Sequence, residues 1–267
     1  VCWWEQVEKT KGVYSIPQNV DDYLTSAHDN GLEPLVILAR GNTLYNMDSV
    51  FDLPVTDEQI GAFAKFCYFT ASRLKGRVKY YEIWNEPDQD LRYSMEQYAA
   101  VLKAAKKAVS EADPEAFVVG ISAASILEHG GVYTGYIDTA MNAGAGENMD
   151  ALSIHAYPYL TGSAQDGTAS AVIDECFSSY SDIVDGAEKS IGGRNLELWL
   201  TETGYASSIG AAKPLSEEHQ GAYIVRTLVL YKADGRAEKL FIYDMKDETS
   251  DETVYSQRYG LLRKNSE

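Results

Sequence analysis

Cysteine, histidine and basic residues are scarce in this sequence. Its 267 residues include three cysteines and four histidines, too few and too scattered for a disulfide framework or a Cys/His zinc site. Lysine and arginine number 23 against 40 acidic residues, which gives a formal net charge of −17. Because phosphate binding needs a basic surface, this charge argues against a nucleic-acid partner. It also disfavours a polyanionic ligand, so a neutral ligand fits best.

Long apolar runs are missing as well. No run reaches the ~20 apolar residues of a membrane span, so we expect no membrane partner. The sequence begins without methionine and without a secretory signal, and we expect a mature or excised piece. The 45% hydrophobic content suffices for a large core, and we expect residues 1–267 to form a single domain.

Short apolar runs alternate with longer amphipathic segments along the chain, which predicts a parallel sheet. The runs predict strands at Pro34–Leu38, Lys79–Ile83, Ala116–Ile121, Ala151–Ile154, Leu196–Leu200 and Lys239–Tyr243. The segments between them predict helices at Val20–Asn30, Thr56–Lys75, Ser94–Glu111, Tyr133–Ala143, Ala169–Lys189 and Ser216–Ala233. Residues 1–4 predict the end of one further strand. An open doubly wound sheet is disfavoured, because no glycine-rich phosphate loop follows any strand.

The strand count determines the predicted fold. An eight-stranded β/α barrel would need one more β/α unit before residue 1. We therefore predict an α/β fold of the TIM-type (β/α)8 barrel class that lacks its first β/α unit. An incomplete barrel leaves strand edges open, and exposed edges invite pairing. We expect this edge to be covered by self-association with a partner chain, by rearranged terminal segments, or by residues outside this sequence.

Two glutamates lie where apolar runs meet turn residues. Glu86 follows Trp84-Asn85 and precedes Pro87, and Glu202 lies between two threonines ahead of a glycine. A carboxylate at a strand end is typical of the catalytic face of a β/α barrel, and paired carboxylates serve glycoside hydrolysis. Pro87 is expected to hold Glu86 in an extended backbone. Taken singly, a loop-shaping role for Glu86 and an N-terminal helix role for Glu202 are equally good interpretations.

The two glutamate segments resemble motifs of the clan A retaining glycoside hydrolases. Residues 84–87 resemble their acid/base motif on strand four, and residues 201–204 their nucleophile motif on strand seven. Residues 155–158 (His-Ala-Tyr-Pro) resemble their strand-six motif, in which the tyrosine supports the nucleophile. Segments 4–14, 241–244 and 259–262 also resemble parts of these enzymes. Together the segments favour family 39, with family 5 as the second choice. The first β/α unit is absent, and Tyr243 stands where many relatives place a tryptophan.

The resemblance implies an O-glycosyl hydrolase acting by double displacement on a β-linked neutral oligo- or polysaccharide. Glu202 would be the nucleophile and Glu86 the acid/base. Asn85 would bind the sugar 2-hydroxyl, and Tyr157 would hydrogen-bond Glu202. No cofactor and no metal are implied, and the enzyme class favours a secreted or extracellular location.

Other candidate residues have two interpretations each. His155 is either a substrate-binding residue or a polar residue satisfied at the barrel rim. Tyr243 is either a sugar-stacking platform or a rim packing residue. Arg40 and Asn42 follow a strand at the active-site end, although a solvated loop is the better interpretation of both.

Two other functions compete with the hydrolase. The first is a weak or inactive carbohydrate-binding barrel, which the missing β/α unit motivates and which activity on an aryl glycoside would exclude. The second is a metal-dependent barrel hydrolase or isomerase. It is disfavoured because no strand end offers paired His/Asp ligands, and activity insensitive to EDTA would dismiss it.

Overall fold

The computed structural model describes residues 1–124, 127–128, 131–132, 135–157, 169–208 and 215–265. The strands are β1 Cys2–Trp3, β2 Leu35–Ala39, β3 Tyr80–Ile83, β4 Phe117–Ala123, β5 Leu127–Glu128, β6 Gly131–Val132, β7 Ala151–His155, β8 Glu197–Thr203 and β9 Lys239–Ile242. The helices are α1 Trp4–Val7, α2 Gln18–Asp29, α3 Asp57–Leu74, α4 Met95–Ala112, α5 Gly135–Asn142, α6 Ala169–Ile191 and α7 Glu217–Asp234. Short 3₁₀ turns lie at Thr43–Tyr45, Pro87–Gln89, Ala145–Glu147 and Tyr255–Gln257. None of the helices in these ranges is long and apolar enough to cross a membrane.

The contacts divide the chain into two compact units. The first unit comprises Val1–Ala123, Gly135–Ser153 and Ser190–Glu197, and the second comprises Ala124–Thr134, Ile154–Lys189 and Leu198–Glu267. The single domain expected from the sequence stays a prediction.

The first unit is built on parallel strands that follow one another in chain order. β1 pairs with β2, β2 with β3, and β3 with β4, all parallel. The start of β7 continues this order, because β7 lies next to β4 in the sheet. The Ser153 hydroxyl of β7 donates to the Gly120 carbonyl of β4 at 3.0 Å. The residues of β3 and β4 are almost all buried, as strands covered on both faces are.

The second unit contains the end of β7 together with β8 and β9. The Ala156 amide donates to the Glu202 carbonyl at 2.7 Å, which ties the chain just past β7 to β8. β8 pairs in parallel with β9, with Leu200 opposite Leu240. The antiparallel pairing of β5 with β6 was not predicted from the sequence, because strands of two residues carry no periodic signal.

The helices begin and end at residues suited to those positions. Thr56 and Gln59 form a capping box at the start of α3, and Ser94 and Gln97 form one at the start of α4. Gly235 ends α7 in the left-handed conformation with φ of 70°, which glycine adopts without steric cost. These local signals explain why helix bounds predicted from the sequence agree closely with the observed ones.

Aromatic side chains dominate the core of the first unit. Trp4 is fully buried and stacks on Tyr45 at 5.0 Å, while Phe63 meets it edge-on at 5.7 Å. Burial of each such side chain stabilises the fold by roughly 1.5–3 kcal/mol. Glu8 is buried beside them, and accepts hydrogen bonds from the Trp4 indole at 2.6 Å and the Tyr45 hydroxyl at 2.5 Å. The start of the chain is therefore fixed to α3 and to the loop after β2.

Candidate active site

Glu86 lies just past the carboxyl end of β3, in the first unit. Its backbone has φ of 48° and ψ of 56°, the left-handed region, and Trp84 also has a positive φ of 74°. The extended backbone expected ahead of Pro87 is therefore wrong. The steric preference of a residue before proline is local, and here the surrounding structure overrides it. Left-handed residues other than glycine cost about 1–3 kcal/mol each and concentrate at functional sites.

Hydrogen bonds from β4 and α4 hold this strained segment in place. The buried Tyr98 hydroxyl donates to the Ile83 carbonyl at 2.9 Å and accepts from the Ile121 amide at 2.8 Å. The Glu86 amide donates to the Ser122 hydroxyl at 3.3 Å. The chain at the end of β3 is thus joined to β4 through Tyr98 and through the Glu86 amide. Asn85 and Glu86 are both partly exposed.

Arg40 and Asn42 follow β2, and neither lies in the solvated loop that the sequence favoured. Asn42 is buried, and its amide donates to the Glu8 carbonyl at 2.9 Å. The Arg40 guanidinium lies over the Phe51 ring at 4.6 Å and the Trp3 ring at 5.6 Å. Burial lowers the pKa of Arg40, and the nearby Glu86 carboxylate partly offsets that effect. These contacts depend on the fold of the loop after β2, which sequence pattern does not reveal.

Glu202 lies near the carboxyl end of β8, in the second unit. The Tyr157 hydroxyl donates a hydrogen bond of 2.7 Å to its Oε2 atom. His155, whose side chain is fully buried, places Nδ1 3.5 Å from the same oxygen. Burial raises the pKa of Tyr157, and the Glu202 carboxylate raises it further, so the phenol stays protonated and acts as a donor. Pro158, the last residue of the motif at 155–158, lies outside the described residues.

Three tyrosine rings of the second unit pack together next to Glu202. Tyr157, Tyr243 and Tyr259 meet pairwise in edge-to-face contacts, with ring centroids 5.6–6.4 Å apart. Burial, with the charge of Glu248 next in size, raises the pKa of Tyr243 to about 12. Gly204 allows the backbone at Tyr243 to approach β8 closely, because a Cβ atom at position 204 would lie 2.2 Å from the Tyr243 carbonyl oxygen.

Asp244 is a further acidic group of this region that the sequence did not single out. Its Oδ1 atom is buried and has no hydrogen-bond partner among the described residues. Burial raises the pKa of Asp244, and the charges of Glu248, Asp247 and Glu202 raise it further. A lone aspartate after an apolar run gives no sequence signal that separates it from an ordinary turn residue.

A buried ionic network fixes the segment that carries Tyr243, Asp244 and Tyr259. The Asp247 side chain is fully buried, and its Oδ2 atom pairs with Arg258 at 3.0 Å and with Arg263 at 2.9 Å. Its Oδ1 atom accepts from the Gly260 amide at 2.8 Å. Arg263 also bonds Gln220 of α7 at 2.6 Å. The segment after β9 is thereby held on α7.

The predicted site residues thus fall in both units. The first unit holds Asn85 and Glu86, and the second holds His155, Tyr157, Glu202 and Tyr243. Each lies at or just past the carboxyl end of a parallel strand, the end at which β/α barrels carry their active sites.

No protein-family model and no curated protein matches the chain. Solved structures do match it. A family 39 glycoside hydrolase from the gut symbiont Bacteroides cellulosilyticus WH2 is 23% identical, with a TM-score of 0.77, over 98% of this chain and 53% of that one. The exo-β-1,4-mannosidase of Opitutaceae bacterium strain TAV5 is 17% identical, with a TM-score of 0.68, over 98% of this chain and 48% of that one. A monomeric β-xylosidase from Caulobacter crescentus CB15 is 16% identical, with a TM-score of 0.61, over 95% of this chain and 54% of that one.

These similarities establish the fold. The chain has the α/β fold of TIM-type glycoside hydrolases, with seven parallel strands in the part that the structure describes. The predicted class, an incomplete (β/α)8 barrel, is confirmed, as is the suspected resemblance to clan A glycoside hydrolases, with a family 39 structure among those that share the fold. The chain spans about half the length of each of these three solved structures.

Proposed function

We propose that the chain is a retaining glycoside hydrolase that cleaves a β-linked neutral glycan. Glu202 is the nucleophile and Glu86 the general acid/base. The observation that carries the proposal is the Glu202 carboxylate, held near a strand end by the Tyr157 hydroxyl at 2.7 Å with His155 3.5 Å away. The fold, shared with glycoside hydrolases, and the position of Glu86 past β3 support it.

The first step of the proposed mechanism forms a covalent intermediate. A Glu202 carboxylate oxygen attacks the anomeric carbon while Glu86 gives its proton to the glycosidic oxygen. The bond between these two substrate atoms breaks, the leaving group departs as an alcohol, and a glycosyl ester of Glu202 remains. Tyr157 fixes the orientation of the nucleophile through Oε2, so the carboxylate need not reorganise during attack.

The second step releases the sugar. Glu86, now a carboxylate, removes a proton from water as the water attacks the anomeric carbon. The ester bond breaks and Glu202 is regenerated with both electrons of that bond. Two inversions give net retention, which requires carboxyl groups roughly 5–5.5 Å apart. A crystal structure with a separation of ~9 Å would instead fit inversion.

Binding residues for the sugar follow from the same site. Asn85 precedes Glu86 and has an amide group that both donates and accepts hydrogen bonds, which suits the sugar 2-hydroxyl. Tyr243 supplies a partly exposed ring for the apolar face of the sugar. His155 is buried beside Glu202 and acts as a positioning residue for it. The chemistry proposed for these residues requires neither a metal nor a cofactor.

The test is the stereochemistry of the first product. Purified protein is screened on a panel of aryl β-glycosides of glucose, xylose, mannose and galactose, and the hydrolysed sugar is followed by proton NMR. We expect the β-anomer to appear first and to mutarotate later. Initial α-anomer would overturn retention. Glycan binding without turnover of any panel member would favour a binding barrel, and turnover abolished by EDTA would favour a metal-dependent enzyme.

A variant of the nucleophile sharpens the test. Glu202→Gly should lose turnover, and azide should restore it by forming a glycosyl azide of inverted configuration. The matched control is Glu197→Ala, at the exposed start of the same strand. Equal losses in both variants would contradict the assignment of Glu202.

We propose that the outer edge of β9, the last strand of the sheet among the described residues, supports self-association. All four residues of β9 are only partly buried, unlike those of β3 or β7. Val225, Leu228 and Val229 are exposed on α7. Unpaired strand edges and apolar faces invite pairing with another chain. Light scattering at several concentrations tests this, and a monomer throughout would exclude it.

A further inference from the structure

A cavity of about 340 Å³ lies in the first unit beside Glu86. All of its lining residues belong to that unit. One wall is Asn85 and Glu86, and the wall beyond them includes Arg40, Phe51 and Tyr93. Its volume falls in the range of about 300–1,000 Å³ that is typical of small-ligand pockets. The cavity therefore has room for a sugar ring next to the proposed acid/base.

Arg40 lines the cavity and carries a buried hydrogen-bond donor without an acceptor among the described residues. Its Nε atom is buried and has no partner among the residues that the structure describes. Rings of Trp3 and Phe51 lie over the guanidinium at 5.6 and 4.6 Å, distances at which a cation is attracted to an aromatic face. Arg40 as a whole is partly exposed, and a guanidinium in a cavity wall favours an oxygen-rich ligand because its N–H groups donate strong hydrogen bonds to oxygen.

Phe51 supplies an apolar surface at the same place. Phe51 is 56% exposed although it lies against Arg40 in the lining of the cavity. The loop that carries it folds back because Gly41 leaves room: a Cβ atom there would lie 2.6 Å from the Asp52 carbonyl oxygen. An exposed aromatic ring at a cavity wall suits the C–H face of a pyranose.

Ion pairs of Arg92 connect the two loops that line the cavity. The first loop follows β2 and the second follows β3. Arg92 pairs with Asp52 of the first loop at 2.9 Å and with Asp90 of the second at 2.6 Å. The Asp90 carboxylate is held in turn by the Arg92 Nε atom at 2.9 Å. Asp90 lines the cavity and can accept hydrogen bonds from hydroxyl groups. These ion pairs thus fix the positions of the cavity walls before a ligand binds.

We propose that Arg40, Phe51, Asp90 and Tyr93 form a leaving-group sugar subsite, so that the substrate is a β-linked disaccharide or a longer oligosaccharide. This inference rests on the proposed function. The general acid protonates the oxygen of the leaving group, so the leaving group must lie against Glu86. The cavity meets that requirement, because it begins at Glu86 and continues to an aromatic wall and two charged hydrogen-bonding groups. A small alkyl leaving group would use none of them.

The test compares two substrates with the same glycone, a β-glycosyl fluoride and the corresponding β-linked oligosaccharide. The ratio of their kcat/KM values isolates the leaving-group subsite, because a fluoride leaving group is too small to reach Phe51 and Arg40. We expect Phe51→Ala and Arg40→Met each to lower the oligosaccharide-to-fluoride ratio at least about tenfold, mainly through KM, as expected for a lost stacking or hydrogen-bond contact. Phe51→Tyr should retain the ratio. An unchanged ratio in both truncated variants would overturn the subsite.

Matched controls come from the exposed surface of α3. Arg73→Met and Tyr68→Ala remove a similar cation and a similar ring outside the cavity, and should leave the ratio unchanged. If the unmodified protein hydrolyses neither substrate, the proposed function fails. The subsite is then tested alone, by calorimetric titration with cello-, xylo- and manno-oligosaccharides. Binding lost in Phe51→Ala supports the subsite, and equal or absent binding overturns it.

Discussion

The Tyr157 hydroxyl donates a 2.7 Å hydrogen bond to Oε2 of Glu202. Charge-assisted bonds of this kind are short and about twice as strong as neutral ones. The pKa of Tyr157 is raised chiefly by burial, so the donor keeps its proton throughout the neutral pH range. The bond thus stabilises Glu202 in its ionised form and fixes its orientation.

Removing this hydroxyl tests its contribution. Tyr157→Phe should lower kcat/KM about 10- to 100-fold, because a hydrogen bond to a charged group contributes roughly 1.5–3 kcal/mol. The ring remains, so its contacts with Tyr243 and Tyr259 remain, and the melting temperature should change little. Steady-state kinetics measure the effect. Tyr23→Phe, at an exposed tyrosine, is the control. A loss below twofold would mean that the bond contributes nothing to catalysis.

The role of Glu86 predicts a dependence on the leaving group. Glu86→Ala should lower kcat/KM about 10²- to 10⁴-fold for substrates with poor leaving groups, since these need protonation. Dinitrophenyl glycosides need little protonation and should lose far less. The slope of log kcat/KM against leaving-group pKa measures the difference. Glu111→Ala, at an exposed glutamate on α4, should leave the slope unchanged. Equal losses on both kinds of substrate would contradict the acid role.

Asp244 predicts a pH-dependent stability. Its pKa in the folded protein is raised, chiefly by burial, above the unfolded value of about 3.9. The folded state therefore binds the proton more tightly, and the stability gained from protonation is lost as pH rises through the folded pKa. Asp244→Asn should raise the melting temperature at pH 7 and have little effect near pH 3. Thermal denaturation across this range measures it. A benefit that is the same at both pH values would contradict the ionisation account.

Replacing Asp247 should cause a large loss of stability. Asp247→Asn removes the buried charge that pairs with Arg258 and Arg263, and leaves these two cations paired with only one of the two acids, the exposed Glu217 carboxylate. We expect the free energy of unfolding to fall by about 3–5 kcal/mol, as for other broken buried ion pairs. Urea denaturation measures the change. Asp182→Asn, at an exposed aspartate, should cost little. A loss below ~1 kcal/mol would show that the network is not a structural tie of this segment.

The sequence predicted the positions of helices and strands better than it predicted the backbone conformation just past their ends. Buried strands such as β3 were found within one residue, because a continuous apolar run is a strong signal. The left-handed conformation of Glu86 was missed, since it arises from bonds to β4 rather than from residues 84–87. The burial of Asn42 was missed for the same reason, because Glu8 is distant in the sequence. Long-range contacts decide these features, and pattern reasoning does not reach them.

The central claim is that Glu202 forms a covalent bond with the sugar, and trapping measures it most directly. The protein is incubated with 2-deoxy-2-fluoro-β-glycosyl fluorides of the gluco, xylo, manno and galacto series, and is then examined by mass spectrometry of the intact chain and its peptides. We predict one adduct of a single sugar on Glu202, and none in Glu202→Gly. An adduct on a different residue, with Glu202 unmodified, would contradict the account.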